Sequence, residues 1–306
     1  MEKISDRWLI KHYINIGKSY DIFAGWHYHN EYELVVCFDP HSVLNSTAMV
    51  GDQCFSQCHN TLVLYGPGVP HMVTASAACE RHTEVSNHIL WFSPDWIDKL
   101  IELEPSLTPV RNVLNEACRG IHFSSQCAER VSALIRNTVN LPSTRQFAVV
   151  VEILMALAED GYRKPLASGS YSYCQPESSS QQQNKVKRVL HYIERHYTEP
   201  VRMADLCEEL HMSESSVYRL FERHFQESFA EHLKQYRIGK ACERLINTDQ
   251  SISYIAENTG FNNQSNFNRQ FKISKNMTPS AFRKLYRHQK TKFKSGQRQS
   301  VELKII

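Results

Sequence analysis

Residues 163–184, RKPLASGSYSYCQPESSSQQQN, divide the chain in two. Ser, Gln, Gly and Pro dominate them and no apolar residue recurs at a helical or strand period, so a flexible linker is expected there. Each side must therefore bury its own core, and the two sides differ in texture. From about Ser19 to Phe92 the chain runs YDIFAGW, YELVVCF, TAMVGDQCF, TLVLYG, HMVTAS and EVSNHILWF, punctuated by Asp39-Pro40, Gly51-Asp52 and Gly66-Pro67-Gly68. Short β-rich runs between turn signals call for an antiparallel sandwich or barrel. After Pro94 the spacing predicts helices over 94–103, about 108–118, 126–140 and 145–160. The last, FAVVVEILMALAEDGY, is too apolar for a solvated helix. It is expected to pack on the barrel, on a neighbouring helix or on its counterpart in a second subunit. The expected division is 1–162, linker 163–184, a helical block 185–290 and a basic tail 291–306.

Charge sharpens that division. Residues 1–184 hold 13 Lys and Arg against 19 Asp and Glu, a net of −6; residues 185–306 hold 22 against 13, a net of +9. An acidic body carrying a basic C-terminal third points to a polyanionic partner for that third alone.

The start, MEKISDRWLIKHY, is charged and lacks the apolar stretch of a secretion signal. No run approaches the roughly 18 apolar residues of a membrane span. A cytoplasmic protein with no membrane partner is expected. Nine cysteines is an odd count, and Cys54 and Cys58 lack the second pair that a zinc site would need, so free thiols are expected.

Within the basic block, Val186, Val189, Leu190, Ile193 and Tyr197 share a helix face that ends before Pro200. In RMADLCEELHMSESSVYRLFERHF, Met203, Leu206, Cys207 and Leu210 share one side of a short helix. His211-Met212 turns the chain, and Ser213 is suited to cap a second helix. In that second helix Val217, Leu220, Phe221 and Phe225 point inward, while Ser215, Ser216, Tyr218, Arg219 and Arg223 are left outside. Two short amphipathic helices with a tight turn and a polar outer face describe a helix-turn-helix unit.

The grammar repeats in SISYIAENTGFNNQSNFNRQFK. Ile252, Ile255 and Ala256 face a core, Gly260 ends the helix in a left-handed conformation, and Asn262 or Asn263 caps the next. Phe267 and Phe271 lie inside; Gln264, Ser265, Asn266, Asn268 and Arg269 lie outside. Arg, Gln and Asn are the side chains that bond base edges bidentately in the major groove. The helix between the units, with Phe229, Leu233, Tyr236, Ala241 and Leu245 along one side, would hold two recognition helices near one DNA turn (roughly 34 Å) apart. Lys234, Arg237, Lys272 and Lys275 are expected on phosphates.

These residues carry a specific resemblance. ADLCEELHMSESSVYRLF, YRIGKACERLI and SISYIAENTGFNNQSNFNRQFK followed by MTPSAFRK resemble the DNA-binding domain of the AraC/XylS transcription regulators over about residues 186–286. The resemblance implies that Ser215, Ser216, Tyr218 and Arg219 enter one groove and Gln264, Ser265, Asn266, Asn268 and Arg269 the next. Cys207 stands where the family usually has Ala, and Glu227 and Asn276 where Gly is common, so local adjustment is expected at these packing and turn positions.

In the acidic half, WHYHNEYELVV puts His27 and His29 on one face of a strand, with Glu33 four residues on and His71 arriving in GPGVPHMV. Two His, a Glu and a later His make a plausible divalent-metal shell. The spacing resembles the cupin barrel, and also the cupin-like sensors attached to AraC-type domains, where metal is usually not needed. An effector pocket formed by Trp26, His27, Tyr28, His29, Glu33, His71 and Trp91 is preferred over a structural polar cluster, and both over the metal set His27, His29, Glu33 and His71. No metal or other cofactor is therefore expected. Aromatic faces and hydrogen-bonding groups would suit a sugar. No phosphate loop, nucleophile elbow or Cys–His nucleophile is present, so no catalytic residue is assigned and an enzyme is not expected.

The expected protein is thus α+β: a cupin-like antiparallel β-barrel with packed helices, a flexible linker and an all-α domain with two helix-turn-helix units. As expected partners it has double-stranded promoter DNA, a small-molecule effector, RNA polymerase and a second copy of itself, joined through the 126–160 helices. The alternative is a cupin-type metalloenzyme or metal sensor fused to a DNA-binding module.

Overall fold

The computed structural model describes residues 7–17, 20–77, 83–169, 171, 180–225 and 227–291. The strands are β1 (Trp8–Ile16), β2 (Tyr20–His27), β3 (Tyr32–Phe38), β4 (Leu44–Val50), β5 (Gln53–Phe55), β6 (Thr61–Tyr65), β7 (His71–Ala77), β8 (Glu84–Phe92), β9 (Ile121–His122) and β10 (Lys164–Pro165). They form two antiparallel sheets, ordered β1-β8-β3-β6-β9-β10 and β2-β7-β4-β5. Among the described residues no ladder joins the sheets, so the expected closed barrel is replaced by two facing sheets. The small sheet ends at the three-residue β5 and the large one at the two-residue β10, too short to carry the hydrogen bonding round.

The run YELVVCF reads as continuous rather than alternating because β3 is covered on both faces. Leu34 and Val36 turn towards a core built with α1 (Pro94–Leu103), α2 (Thr108–Glu116), α3 (Ser125–Arg136) and α4 (Ser143–Glu159). Val35 turns the other way, joining Val50, Val63 and Tyr65 in a separate cluster. The apolar α4 packs on α2 and α3, its Val150, Ile153, Leu154 and Leu157 all buried.

Three sequence readings need correction. Strand β1, which pairs along its length with β8, lies where no strand was expected. The helix expected over 126–140 stops at Arg136, where Thr138 turns its hydroxyl onto the Ile135 carbonyl at 2.6 Å. The segment read as a linker is ordered in its first part. Lys164 and Pro165 pair with β9, and Ala167 and Tyr171 are buried against the sheets. Residues 172–179 and the basic tail from 292 lie outside the described residues.

The helical domain comprises α5 (Ser180–His196), α6 (Met203–Leu210), α7 (Glu214–Phe225), α8 (Phe229–Asn247), α9 (Ile252–Glu257), α10 (Gln264–Lys275) and α11 (Pro279–Thr291). The inward-facing residues of α5 to α10 form one core, to which Phe282 of α11 contributes. Its 19-residue axis, α8, is about 28 Å long. No helix of the described residues is long and apolar enough to cross a membrane.

Candidate functional site

Two helices of the C-terminal domain present polar faces outward. In α7, Val217, Leu220, Phe221 and Phe225 are buried, while Ser215, Tyr218, Arg219 and Arg223 are exposed and Ser216 half-buried. The turn before it uses His211 in the left-handed conformation, and the Ser213 hydroxyl accepts the Ser216 amide proton. In α10, Phe267 and Phe271 are buried, Gln264, Ser265, Arg269 and Lys272 exposed, and Asn266 and Asn268 half-buried. Asn263, rather than Asn262, is the cap, its side chain accepting from the Asn266 amide at 2.8 Å. Gly260 has φ +82, and a Cβ there would lie 2.3 Å from the Tyr197 carbonyl oxygen, so both backbone and packing demand glycine. Asn276, at φ 55, supplies the left-handed turn after α10 that the usual glycine would make.

The cations assigned to phosphates are placed differently from one another. Lys272 is exposed. Lys234 is paired with Glu231 one turn earlier on α8. Arg237 donates Nε to the Tyr197 carbonyl at 2.7 Å and Nη2 to the Glu199 carbonyl at 2.6 Å, so it clamps the end of α5 onto α8 instead of reaching outward. Lys275 is buried and donates to the Gly51 carbonyl at 3.1 Å, across the domain boundary. A lysine buried on a carbonyl and an arginine clamped on two are not free for phosphate.

The acidic half contains a cavity of about 500 Å³. Of the residues proposed for an effector pocket, Trp26, His27, His29, Glu33 and Trp91 line it. Tyr28 does not; its hydroxyl donates to the Leu190 carbonyl of α5. His71 lies behind the wall, 4% exposed, its ring stacked on Tyr65 at 4.2 Å. Leu9, Lys11 and Tyr13 were missed because β1 was not recognised as a strand. Glu194 of α5 and Lys240 of α8 were missed because nothing in the sequence brings the other domain to this cavity.

The polar residues converge for identifiable local reasons. His27 and His71 face each other across the β2–β7 ladder, whose register shifts between Ala24 and His27, an irregularity that re-aims the strand end. Glu33 shares a face of β3 with Val35 and so points between the sheets. Its Oε2 lies 2.7 Å from His29 Nε2 and 3.6 Å from His71 Nε2, and it accepts from Trp91 Nε1 at 2.8 Å. Burial alone would raise the Glu33 carboxyl, but the two histidines outweigh it and hold it well below its usual range. Burial also works against charge on His29, yet Glu33 and Glu31 prevail and raise it. His27, desolvated and beside His71, is pushed down to about 3. One donor atom from each of His27, His29, Glu33 and His71 lies within 4.8 Å of the others, a group that among the described residues could hold a metal ion.

Residues 206–285 match the family model described as "Helix-turn-helix domain". The C-terminal domain is thus similar to the AraC-type helix-turn-helix domains. It is 28% identical over 102 residues to the HTH-type transcriptional regulator YdeC of Bacillus subtilis, covering 33% of this chain and 35% of that protein. It is 31% identical over 100 residues to the regulatory protein PocR of Salmonella typhimurium, covering 33% of each. Among solved structures, the C-terminal domain of the response regulator yesN of Fusobacterium nucleatum is 30% identical, over 33% of this chain and 98% of that one, with a TM-score of 0.32. The chain thus spans about a third of the length of the curated relatives it matches.

The AraC-type domain is joined to the β-domain through α8. Lys240 donates to the Trp26 carbonyl at 2.6 Å, and Glu243 accepts the Trp26 amide proton at 2.9 Å. Gly239 lies so close to Trp26 that a Cβ would stand 2.0 Å from the indole ring. Trp26, Met49 and Met72 of the small sheet belong to the same apolar cluster as the core of the AraC-type domain. Helix α8, which carries the two helix-turn-helix units, therefore also forms the seam with the cavity.

Proposed function

We propose that the protein is a sequence-specific transcription regulator that reads two successive major grooves of duplex promoter DNA with α7 and α10. The observation that carries this reading is the pair of outward polar faces, each on the second helix of a helix-turn-helix unit and both anchored to α8. Arg219 and Arg269 are the base-contacting residues, with Ser215, Ser216, Tyr218, Arg223, Gln264, Ser265, Asn266 and Asn268 around them and Lys272 on phosphate. The +9 charge of residues 185–306 supplies the sequence-independent attraction. The test is selection of bound duplexes from a random pool by the full chain, followed by binding at several salt concentrations. A recovered motif with two half-sites and a steep salt dependence are expected; salt-insensitive binding without a motif would refute it.

A small-molecule effector in the 500 Å³ cavity is the finer part of the reading. Its support is the lining itself, where Trp26 and Trp91 lie beside the polar His27, His29 and Glu33. A hydroxylated ligand such as a sugar suits such a mix of aromatic faces and hydrogen-bonding groups. Because Glu194 and Lys240 share the cavity with the sheets, a ligand that favours one domain arrangement over another shifts the fraction competent for DNA. The shift is limited by the ligand's differential affinity. Recruitment of RNA polymerase, pairing of two copies through the α3–α4 face and a cytoplasmic location complete the proposal. Phe147 of α4, 39% exposed, is the apolar residue offered for that pairing.

A further inference from the structure

We infer that a second cavity, between the β-domain and the AraC-type domain, binds a primary alkylammonium ion through the Tyr171 hydroxyl and the Glu227 carboxylate, in the field of Asp52 and Glu231. This goes beyond the regulatory reading and does not depend on it.

The cavity has a volume of about 390 Å³ and shares no lining residue with the first. Asp52 comes from the turn between β4 and β5, and Tyr171 from the segment that reads as a linker in the sequence. The AraC-type domain contributes Phe225 at the end of α7, Glu227 in the turn after it, and Glu231 and Lys234 early in α8. Three carboxylates against one ammonium leave this lining with an excess of two negative charges. Lys275 does not line the cavity and is held by the Gly51 carbonyl. Lys234 is paired with Glu231. Burial works against charge on Asp52, yet Ser168 and Gln53 donate to it and hold its carboxyl below the usual range. These donors are neutral, so the charge of Asp52 stands. Glu227 gives Oε1 to His232 Nδ1 at 2.6 Å, and its Oε2 makes no hydrogen bond among the described residues.

Tyr171 points independently to a ligand. It is 8% exposed and its amide donates to the Cys118 carbonyl at 2.7 Å, but its hydroxyl has no hydrogen-bond partner among the described residues. A polar group so deeply placed is ordinarily satisfied. Burial raises this phenol, and the charges of Asp52, Glu227 and Glu231 raise it further, so the hydroxyl keeps its proton and lies within the field of all three carboxylates. The turn before Asp52 comes so near that a Cβ on Gly51 would stand 2.7 Å from the hydroxyl oxygen. An ammonium group can donate one N–H to Tyr171 Oη and another to Glu227 Oε2, both of which accept. The rings of Tyr171 and Phe225 suit a cation as well, through their negative faces. Ile273 of α10, 66% exposed, adds an apolar wall for an alkyl chain. A metal ion fits less well, because among the described residues these carboxylates do not gather as a ligand group.

The experiment titrates the full chain, without DNA, with butylammonium, tetramethylammonium and butan-1-ol in a calorimeter at constant ionic strength. One equivalent of butylammonium should bind saturably. Butan-1-ol has the shape without the charge, and tetramethylammonium has the charge without an N–H. Each should bind about tenfold more weakly or not at all, as loss of a hydrogen bond to a charged group entails. Tyr171→Phe and Glu227→Gln should each weaken butylammonium by about the same factor. Circular dichroism checks the fold of both variants. Tyr171→Phe removes only an oxygen without a hydrogen-bond partner, so it decides the matter if Glu227→Gln does not fold. No saturable binding, equal affinity for butan-1-ol or tetramethylammonium, or unchanged affinity in folded Tyr171→Phe would overturn the inference.

Discussion

The two halves place their polar residues in opposite ways. In the AraC-type domain the polar side chains of α7 and α10 stand outside a closed apolar core; in the β-domain the histidines and Glu33 are turned between two sheets. An outward face needs only a helical period to assemble it. An inward cluster needs ladders, a register shift and a neighbouring domain. Substitutions should therefore act on affinity in the first half and on stability or domain arrangement in the second.

The largest effect is expected in the β-domain. Burial pushes the buried His88 down to about 3, with the charges of His12 and Arg136 acting the same way. His12 Nδ1, itself lowered by burial, lies 2.8 Å from His88 Nδ1. The unfolded chain takes up this proton near pH 6.5 and the folded one only near 3, so the stability is present above 6.5 and is lost as pH falls towards 3. The loss should reach a few kcal/mol. Thermal unfolding of the full chain between pH 7 and 4 should show it, and His88→Asn should flatten the dependence. An unchanged slope in that variant would place the acid sensitivity elsewhere.

Next, Arg269→Ala should cost about 1–3 kcal/mol of DNA affinity and relax the preference at one base position. A uniform loss across sequences would make Arg269 a phosphate contact. Gly239→Ala drives a methyl into the Trp26 ring and should destabilise the seam by about 1–3 kcal/mol, with Trp fluorescence changing while the circular dichroism of the helices persists. Unchanged fluorescence and an unchanged unfolding temperature would break the contrast between the halves.

The smallest effect separates two cations that look alike in the sequence. Lys272→Ala should lower the salt slope of DNA binding by about one counterion. Arg237→Ala should leave that slope unchanged and lower the unfolding temperature, because it removes the clamp between α5 and α8. The reverse outcome would restore Arg237 to the DNA interface.

Legibility follows the same contrast. Period and caps placed both helix-turn-helix units, with Ser213, Asn263 and Gly260 as punctuation, because those contacts lie within a few residues of each other. Strands β2 to β8 were legible from their runs, but β1 was not: WLIKHYINI alternates poorly, and at a sheet edge its residues are half-buried except for the exposed Ile14 and Ile16. Arg237, Lys275 and Lys240 look like surface cations, and only long-range packing sets them on the carbonyls of Tyr197, Gly51 and Trp26. His27, His29 and Glu33 stood out by spacing, yet the contacts of Glu33 with His29 and Trp91 exist in the folded chain alone.

Hydroxyl-radical footprinting of the full chain on a duplex recovered by selection tests the pairing of the two units most directly. Two protected segments about one helical turn apart on one face are expected. Arg219→Ala should weaken one and Arg269→Ala the other. A single protected segment, or loss of both on either substitution alone, would contradict the assignment of α7 and α10 to separate grooves.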